Sequence, residues 1–452
     1  MKIKRSLRTQ RTYSWSGEWE KQITPGVQKR IDQEVIPLLR TMAGRDDSVR
    51  ILARNIITNL IIEPTIGTVS AVDKLLFVLA MRCSMQQLPG YATLDNLHVK
   101  AIQKLLDKIK QYTADSSQKR PLVFLMLASP GAGKSHFIKC IAKQLQDQKI
   151  GAVTYNMAGL QSNEDMIPPL DAARNVKVED GVPLLFLDEF DSKSENVPML
   201  LPLLWDGEVT IGPKGLKLGK VIIVLAGSHP TLPVTMEQAR SMTEAVQVED
   251  GLSSKIVDLL SRINGGVIPI PPFLDQKKNI DRRVDKVCVV VQLLRQRFGA
   301  ALEDVPISLL RFVGLTDFRY GVRSIAHLVD LIPHKKTEHL MAKDLKLPLN
   351  DTQALKQSSL AYHLLHNDQA DGIVKIWNEA LRNDCQITIT AELTERIINR
   401  SFDHRDKFPQ MMIYRQLVIL GLNTNKANQI RIPKKANRPR QASKSKSIAK
   451  KS

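Results

Sequence analysis

The sequence predicts an α/β fold, a parallel sheet with helices on both faces, set between helical N- and C-terminal regions. Three observations predict it. A charge-free run of bulky apolar residues at 121–127 breaks directly into the small-residue loop Ala128-Ser129-Pro130-Gly131-Ala132-Gly133-Lys134-Ser135, after which residues 136–145 take up helical spacing. Further apolar runs at 150–158, 182–187 and 221–226 alternate with helical stretches, the pattern of a parallel sheet with crossover helices. On either side of 116–272, apolar residues recur three and four apart, as amphipathic helices require.

Taken in order, residues 1–17 form a basic arm with Lys2, Lys4, Arg5, Arg8 and Arg11 and no acid. Thr24 before Pro25 reads as an N-cap with proline at the first helical position. Val27, Ile31, Val35, Leu39 and Met42 follow at helical spacing, with Pro37 expected to kink or shorten that helix. Asp47 or Ser48 caps a second helix, with Val49, Leu52, Ile56 and Leu60 on one face. A third starts near Ser70 and carries Val72, Leu75, Leu76, Leu79 and Cys83, and a fourth carries Leu97, Ala101, Leu105 and Ile109. Residues 18–115 are therefore expected to be helical, either a scaffold for the α/β domain or a partner-binding region. The polar stretch at 114–120 leads into the α/β domain at 116–272. After Pro269-Ile270-Pro271-Pro272 the strand-like runs give way to helices, with Ile280, Val284, Val287, Val291, Leu294 and Phe298 at helical spacing. Residues 273–342 form this helical unit and 343–424 a further, mainly helical region. Residues 425–452 have ten basic residues, no acid and almost no apolar content, a composition expected to be disordered.

Length and composition set the frame. A chain of 452 residues corresponds to about three domains, and 43% hydrophobic with 25% charged residues is ordinary for a globular protein. No apolar stretch approaches the ~18 residues of a membrane span, and the N-terminus lacks a secretory apolar region, so a soluble, cytoplasmic protein is expected. Cys83, Cys140, Cys288 and Cys385 are far apart with no C-x-x-C spacing, which signals neither a zinc site nor a disulfide framework. Of the net charge of +19, the arm at 1–17 holds +5 and the tail at 425–452 holds +10. The basicity belongs to the two ends and not to the fold.

The chemistry is carried by the loop and by a pair of acids. The loop follows the phosphate-binding pattern G-x-x-x-x-G-K-S/T except at its first position, where Ala128 stands. Between a strand and a helix, Gly131 and Gly133 let backbone N–H groups close on phosphate oxygens, and the helix N-terminus adds its positive end. Lys134 would reach the terminal phosphates and Ser135 would hold Mg²⁺; Ser129, Pro130, Ala132 and His136 complete the cradle. Residues 182–187 then form an apolar strand ending in Asp188-Glu189, and the carboxyl edge of a parallel sheet is where ligands sit. Asp188 would support the Mg²⁺ held by Ser135, and Glu189 would orient and deprotonate the attacking water.

The segments ASPGAGKS and LLFLDEFDS together resemble the AAA+ ATPases, most of all prokaryotic ones, over about residues 121–340. The resemblance implies an AAA+ P-loop core followed by a helical lid at 273–342, with ATP and Mg²⁺ as cofactors. It makes Ser228, at the end of the 221–226 strand, a sensor of the terminal phosphate, with His229 as competitor. Residues 203–209 and the glycine-rich 211–219 are similar to a segment of Clp-type and Hsl-type unfoldases, a substrate-gripping loop or a plain surface hairpin. By the same resemblance Arg262, in Lys255-Ile256-Val257-Asp258-Leu259-Leu260-Ser261-Arg262-Ile263, is an arginine finger reaching a neighbouring subunit's ATP, and Arg323, after Tyr320-Gly321-Val322, is a second sensor.

Two function classes follow. The first is an ATPase assembling into a ring or filament, with ATP at subunit junctions and turnover coupled to remodelling a protein or nucleic-acid partner. The second is a slow ATP-dependent switch or scaffold controlling assembly. A P-loop kinase is disfavoured because Glu189 beside Asp188 serves water attack. The acid-free tails could bind nucleic acid, in which case affinity would fall steeply with salt, or contact an acidic protein, or solubilise the chain. The cluster at 434–440 also fits a nuclear-import signal, although the core favours a prokaryotic cytoplasm. An effector or substrate, where one exists, is expected to be a separate protein.

Overall fold

A computed structural model describes residues 25–35, 37–38, 47–64, 69–178, 181–192, 197–211, 214–228, 258–273, 279–299, 301–334, 338–364, 370–382 and 384–389. The basic arm and tail, Thr24, Leu39, Met42, His229, residues 255–257 and residues 390–424 lie outside them.

The nucleus of the fold is a five-stranded parallel sheet. It comprises β1 (Leu122–Leu127), β2 (Ile150–Asn156), β3 (Val182–Asp188), β6 (Ile222–Gly227) and β7 (Gly266–Pro269), in the spatial order β2-β3-β6-β1-β7. The short β4 (Glu208–Ile211) and β5 (Lys214–Lys217) form a separate antiparallel hairpin. Sequence and position agree: β1 and β6 are buried at every residue because helices cover both faces, whereas the edge strand β2 is buried only at Ile150 and then alternates half-buried and exposed residues. This is the parallel α/β core with helices on both faces that the sequence predicts. The fifth strand, β7, had no counterpart in the sequence reading. It has four residues, opens on a glycine and ends on a proline, too short for a period, and its place is fixed by pairing along β1 from Phe124 to Leu127.

Two apolar layers cover the sheet. On one side Phe124, Met126, Phe186 and Val224 meet the helices Asn96–Ala114 and Lys134–Gln144. On the other, Leu125, Leu185 and Leu225 meet the helices Ile167–Val178 and Val197–Asp206, together with hairpin residues Val209, Ile211 and Leu216. The hairpin thus seats its inner side chains in the core. The helix Asn96–Ala114 starts from Asp95, whose carboxylate accepts the Leu97 and His98 N–H groups. Its buried stripe runs through His98, Val99, Ile102, Leu105, Ile109 and Tyr112, while Leu97, expected on that face, is 79% exposed.

The remaining helices share a third core. The helix Asp47–Ile57, continued as wider π-type turns to Ile62, packs with the helix Ala71–Ser84, which opens on a capping box between Ser70 and Asp73. Their buried residues join one core with those of the helices Ile280–Phe298, Ile307–Leu315, Val322–Leu331 and Ala370–Arg382. Val284, Val287, Val291 and Leu294 supply the buried face of Ile280–Phe298, as their spacing predicts. The first helix, Pro25–Arg30, passes into π-type turns at Ile31–Val35, just before Pro37. A last pair of short strands, β8 (Asp304–Pro306) and β9 (Gln386–Thr388), ties the chain's last described segment to this core. Among the described residues, no helix is long and apolar enough to cross a membrane.

Candidate nucleotide-binding site

Strand β1 ends at Leu127 and the chain turns at once, with Gly131 at φ +79° and Gly133 at φ +89°. Both values suit glycine and strain other residues. Gly133 is the N-cap of the helix Lys134–Gln144, so the loop N–H groups and the positive helix end face one concavity. Lys134 is 9% exposed, with Nζ 3.1 Å from the Ala128 carbonyl. The Ala128 N–H in turn reaches Gly227 O at 3.2 Å, joining the loop to the end of β6.

The acids arrive from β3. Asp188 Oδ2 accepts from Ser135 Oγ at 3.2 Å, and its Oδ1 accepts from the Glu189 N–H at 3.1 Å. Glu189 itself has φ +54°, a left-handed conformation that costs a non-glycine residue about 1–2 kcal/mol and clusters at functional sites. Two strands away from β1 in the sheet, β3 is separated from it by β6, so Ser228 at the end of β6 stands between loop and acids.

The third wall comes from the helix Val322–Leu331. The Val322 N–H donates to Gly131 O at 3.0 Å, and a Cβ at Gly131 would fall 2.1 Å from Tyr320 O. Only glycine permits this approach. Together these elements enclose a pocket of about 250 Å³ lined by the loop from Pro130 through Ala132 and Ser135 to His136, by Asp188, Glu189 and Ser228, and by Val322 and Arg323.

Of the residues singled out from sequence, Ser129 and Arg262 are not among those lining this pocket. Ser129 closes the loop through its carbonyl, which accepts from Ala132 N at 3.2 Å. The Arg262 guanidinium pairs with the Asp258 carboxylate and donates to the Asp258 carbonyl at 2.8 Å. The sequence reading did not single out Gly90, Tyr91 or Asp191. His136 Nε2 donates to Gly90 O at 2.8 Å and its ring stacks on Tyr91, while Asp191 Oδ2 accepts the Ser228 N–H at 2.7 Å. An acid two residues after Glu189 was the available signal for Asp191; Gly90 and Tyr91 carried none.

Behind the P-loop helix lies a buried polar joint. Tyr91 Oη meets His98 Nε2 at 2.9 Å and packs edge-on against Phe137. Arg282 bridges Asp95, at 2.5 Å, and Asp285, at 3.2 Å, and Asp285 also accepts the Leu94 N–H at 3.0 Å. Burial pushes the Asp285 carboxyl up to about 7, against the pull of the Leu94 N–H and Arg282. Burial likewise pushes His98 down to about 4, opposed by Asp95.

The chain is similar to the KAP family P-loop domain over residues 99–172. That span contains β1, the glycine loop, its helix and β2. Two solved structures resemble it weakly. One is S. cerevisiae Hsp104 in complex with ADP, at 15% identity over 56% of this chain and 44% of that one, with a TM-score of 0.31. The other is NtrX from Brucella abortus in complex with ADP, at 17% identity over 71% and 67%, with a TM-score of 0.35. The chain thus spans less than half of the Hsp104 chain. No curated protein matched it. Loop, strand order and family similarity agree on a P-loop nucleotide-binding fold.

Proposed function

We propose that this chain binds ATP with Mg²⁺ and hydrolyses it, at a site completed by a neighbouring copy in a ring or filament, and couples turnover to remodelling or regulating a protein or nucleic-acid partner. The observation that carries the reading is the Ser135 to Asp188 hydrogen bond inside a pocket that also holds Lys134, Glu189, Ser228 and Arg323. The hydroxyl and carboxylate are hard oxygen donors, few enough to fit Mg²⁺, which keeps several waters and takes phosphate oxygens. Bound there, the ion neutralises charge on the terminal phosphates.

The side chains divide the work. The loop N–H groups and Lys134 bind the phosphates, and the strained turn at Glu189 holds its carboxylate at the pocket, where it accepts a proton from the attacking water. Ser228 contacts the terminal phosphate, and Arg323 reaches it from the lid side, anchored by the Val322 to Gly131 bond. Arg262 acts on a neighbour's nucleotide once association releases it from Asp258. That intramolecular pair also favours the second reading, a slow switch that turns over little until assembled.

Steady-state hydrolysis measured against protein concentration tests the proposal. Turnover per subunit rises with concentration, falls with chelation of Mg²⁺, and loses its concentration dependence in Arg262→Ala. An Arg262→Ala protein with unchanged activity at every concentration removes the finger from the reading.

A further inference from the structure

We infer that Asp191 is a positioning residue that ties the water-activating Glu189 to the phosphate-sensing Ser228, an inference that rests on the hydrolysis reading above. Two bonds fasten the turn after β3 to the end of β6. The Phe190 N–H donates to Ala226 O at 3.2 Å, and the Ser228 N–H donates to Asp191 Oδ2 at 2.7 Å. The turn itself is closed by the Ser192 N–H on Glu189 O at 3.1 Å. Gly227 leaves no slack between them: a Cβ there would lie 2.8 Å from Asp191 Oδ2 and 2.9 Å from the Phe190 ring.

The bond is charge-assisted and short, the stronger class of hydrogen bond. It bridges two loops that no covalent path shorter than Phe190 to Gly227 connects. One end carries the base, in its left-handed conformation. The other carries the hydroxyl at the γ-phosphate position. Asp191 is not among the residues lining the pocket; it sets the distance between Glu189 and Ser228, which are.

The test compares Asp191→Ala, Asp191→Glu and Asp191→Asn in the full chain. Expected for Ala is a kcat about 10- to 100-fold lower with the Kd for ADP within about twofold, since a displacement near 1 Å costs about that much. Asp191→Glu keeps the charge and moves the carboxylate by one methylene, so it falls similarly. Asp191→Asn keeps an acceptor oxygen and recovers most of the rate. Hydrogen exchange at the Ser228 amide, read without any hydrolysis, accelerates in Ala and not in Asn. Unchanged exchange in Ala overturns the tie, and so does a parallel loss of ADP affinity and kcat. A parent protein that hydrolyses nothing overturns the ATPase reading and the catalytic consequence, while exchange still decides the contact.

Discussion

Two polar regions meet at the start of the P-loop helix, where Tyr91 of one stacks on His136 of the other, and they are built in contrary ways. At the ends of β1, β3 and β6 the polar groups line an accessible pocket and are held by unusual backbone: Gly131, Gly133 and Glu189 all have positive φ. In the joint Asp95, His98 and Asp285 are buried, Tyr91 and Arg282 are half-buried, and the groups are held by one another. A site must leave donors open to a ligand, so the chain spends conformational strain to aim them. A joint has no ligand to satisfy it, so each buried polar atom needs a partner within the fold. The consequence is that substitutions in the pocket read out in turnover and those in the joint read out in stability and its pH dependence.

The largest effect sharpens the first half of that contrast. On the proposed hydrolysis, Glu189→Gln removes the proton acceptor and keeps the shape, so kcat is expected to fall by about 10²–10⁴-fold while the unfolding midpoint and ADP affinity hold. Equal losses in all three would show that Glu189 belongs with the structural groups.

Gly131→Ala acts on both halves, because the residue is where the phosphate loop touches the start of the helix Val322–Leu331. Its φ of +79° strains any side chain, and the new methyl meets Tyr320 O. The variant is expected to lose about 2–3 kcal/mol of stability and at least tenfold in ADP affinity, read by urea unfolding and by titration. Retained affinity at reduced stability would separate the Val322 to Gly131 contact from phosphate binding.

The joint predicts a pH signature. Folded Asp285 keeps its proton up to about 7 against 3.8 for the unfolded group, so its stabilising contribution is complete below about pH 4 and is lost as pH rises towards 7. His98 has the opposite sign. Its folded value of about 4 lies below 6.5, so its contribution is complete above 6.5 and is lost as pH falls towards 4. Between these limits the two slopes, each about 1.4 kcal/mol per pH unit, oppose one another. Asp285→Asn removes one of them. The stability of the variant relative to the parent then rises by of order 2 kcal/mol from pH 4.5 to 6.5, measured by urea unfolding across that range. A constant difference would place Asp285 outside the titration.

The contrast also explains what the sequence exposed. Pocket residues from Pro130 to His136 and the acids Asp188 and Glu189 stand in local runs whose type and spacing state their chemistry, and the sheet strands that carry them are charge-free blocks. The joint is not local: Asp95 and Arg282 are far apart in sequence and meet only because the helix Ile280–Phe298 lies against the segment at 93–95. The same reason hid the common core of residues 31–94 with 284–389, since helical periodicity tells that a face is buried and not against which partner. Strand β7 was invisible because four residues between glycine and proline carry no period, and its strand character comes from β1 alongside it.

The smallest effect tests whether burial, and not the ion pair as such, separates the two classes. Asp281 and Arg282 are neighbours at the start of the helix Ile280–Phe298, and each pairs across to another helical element: Asp281 with Arg54 at 2.7 Å, Arg282 with Asp95. The Arg54 and Asp281 side chains are 28% and 27% exposed, so water and salt share their charge. Arg54→Ala should therefore cost under about 1 kcal/mol, shrinking further at high salt, with turnover unchanged. A loss above about 2 kcal/mol that resists salt would place this pair with the joint. The boundary would then follow helix-to-helix contact, with solvent access no longer the deciding variable.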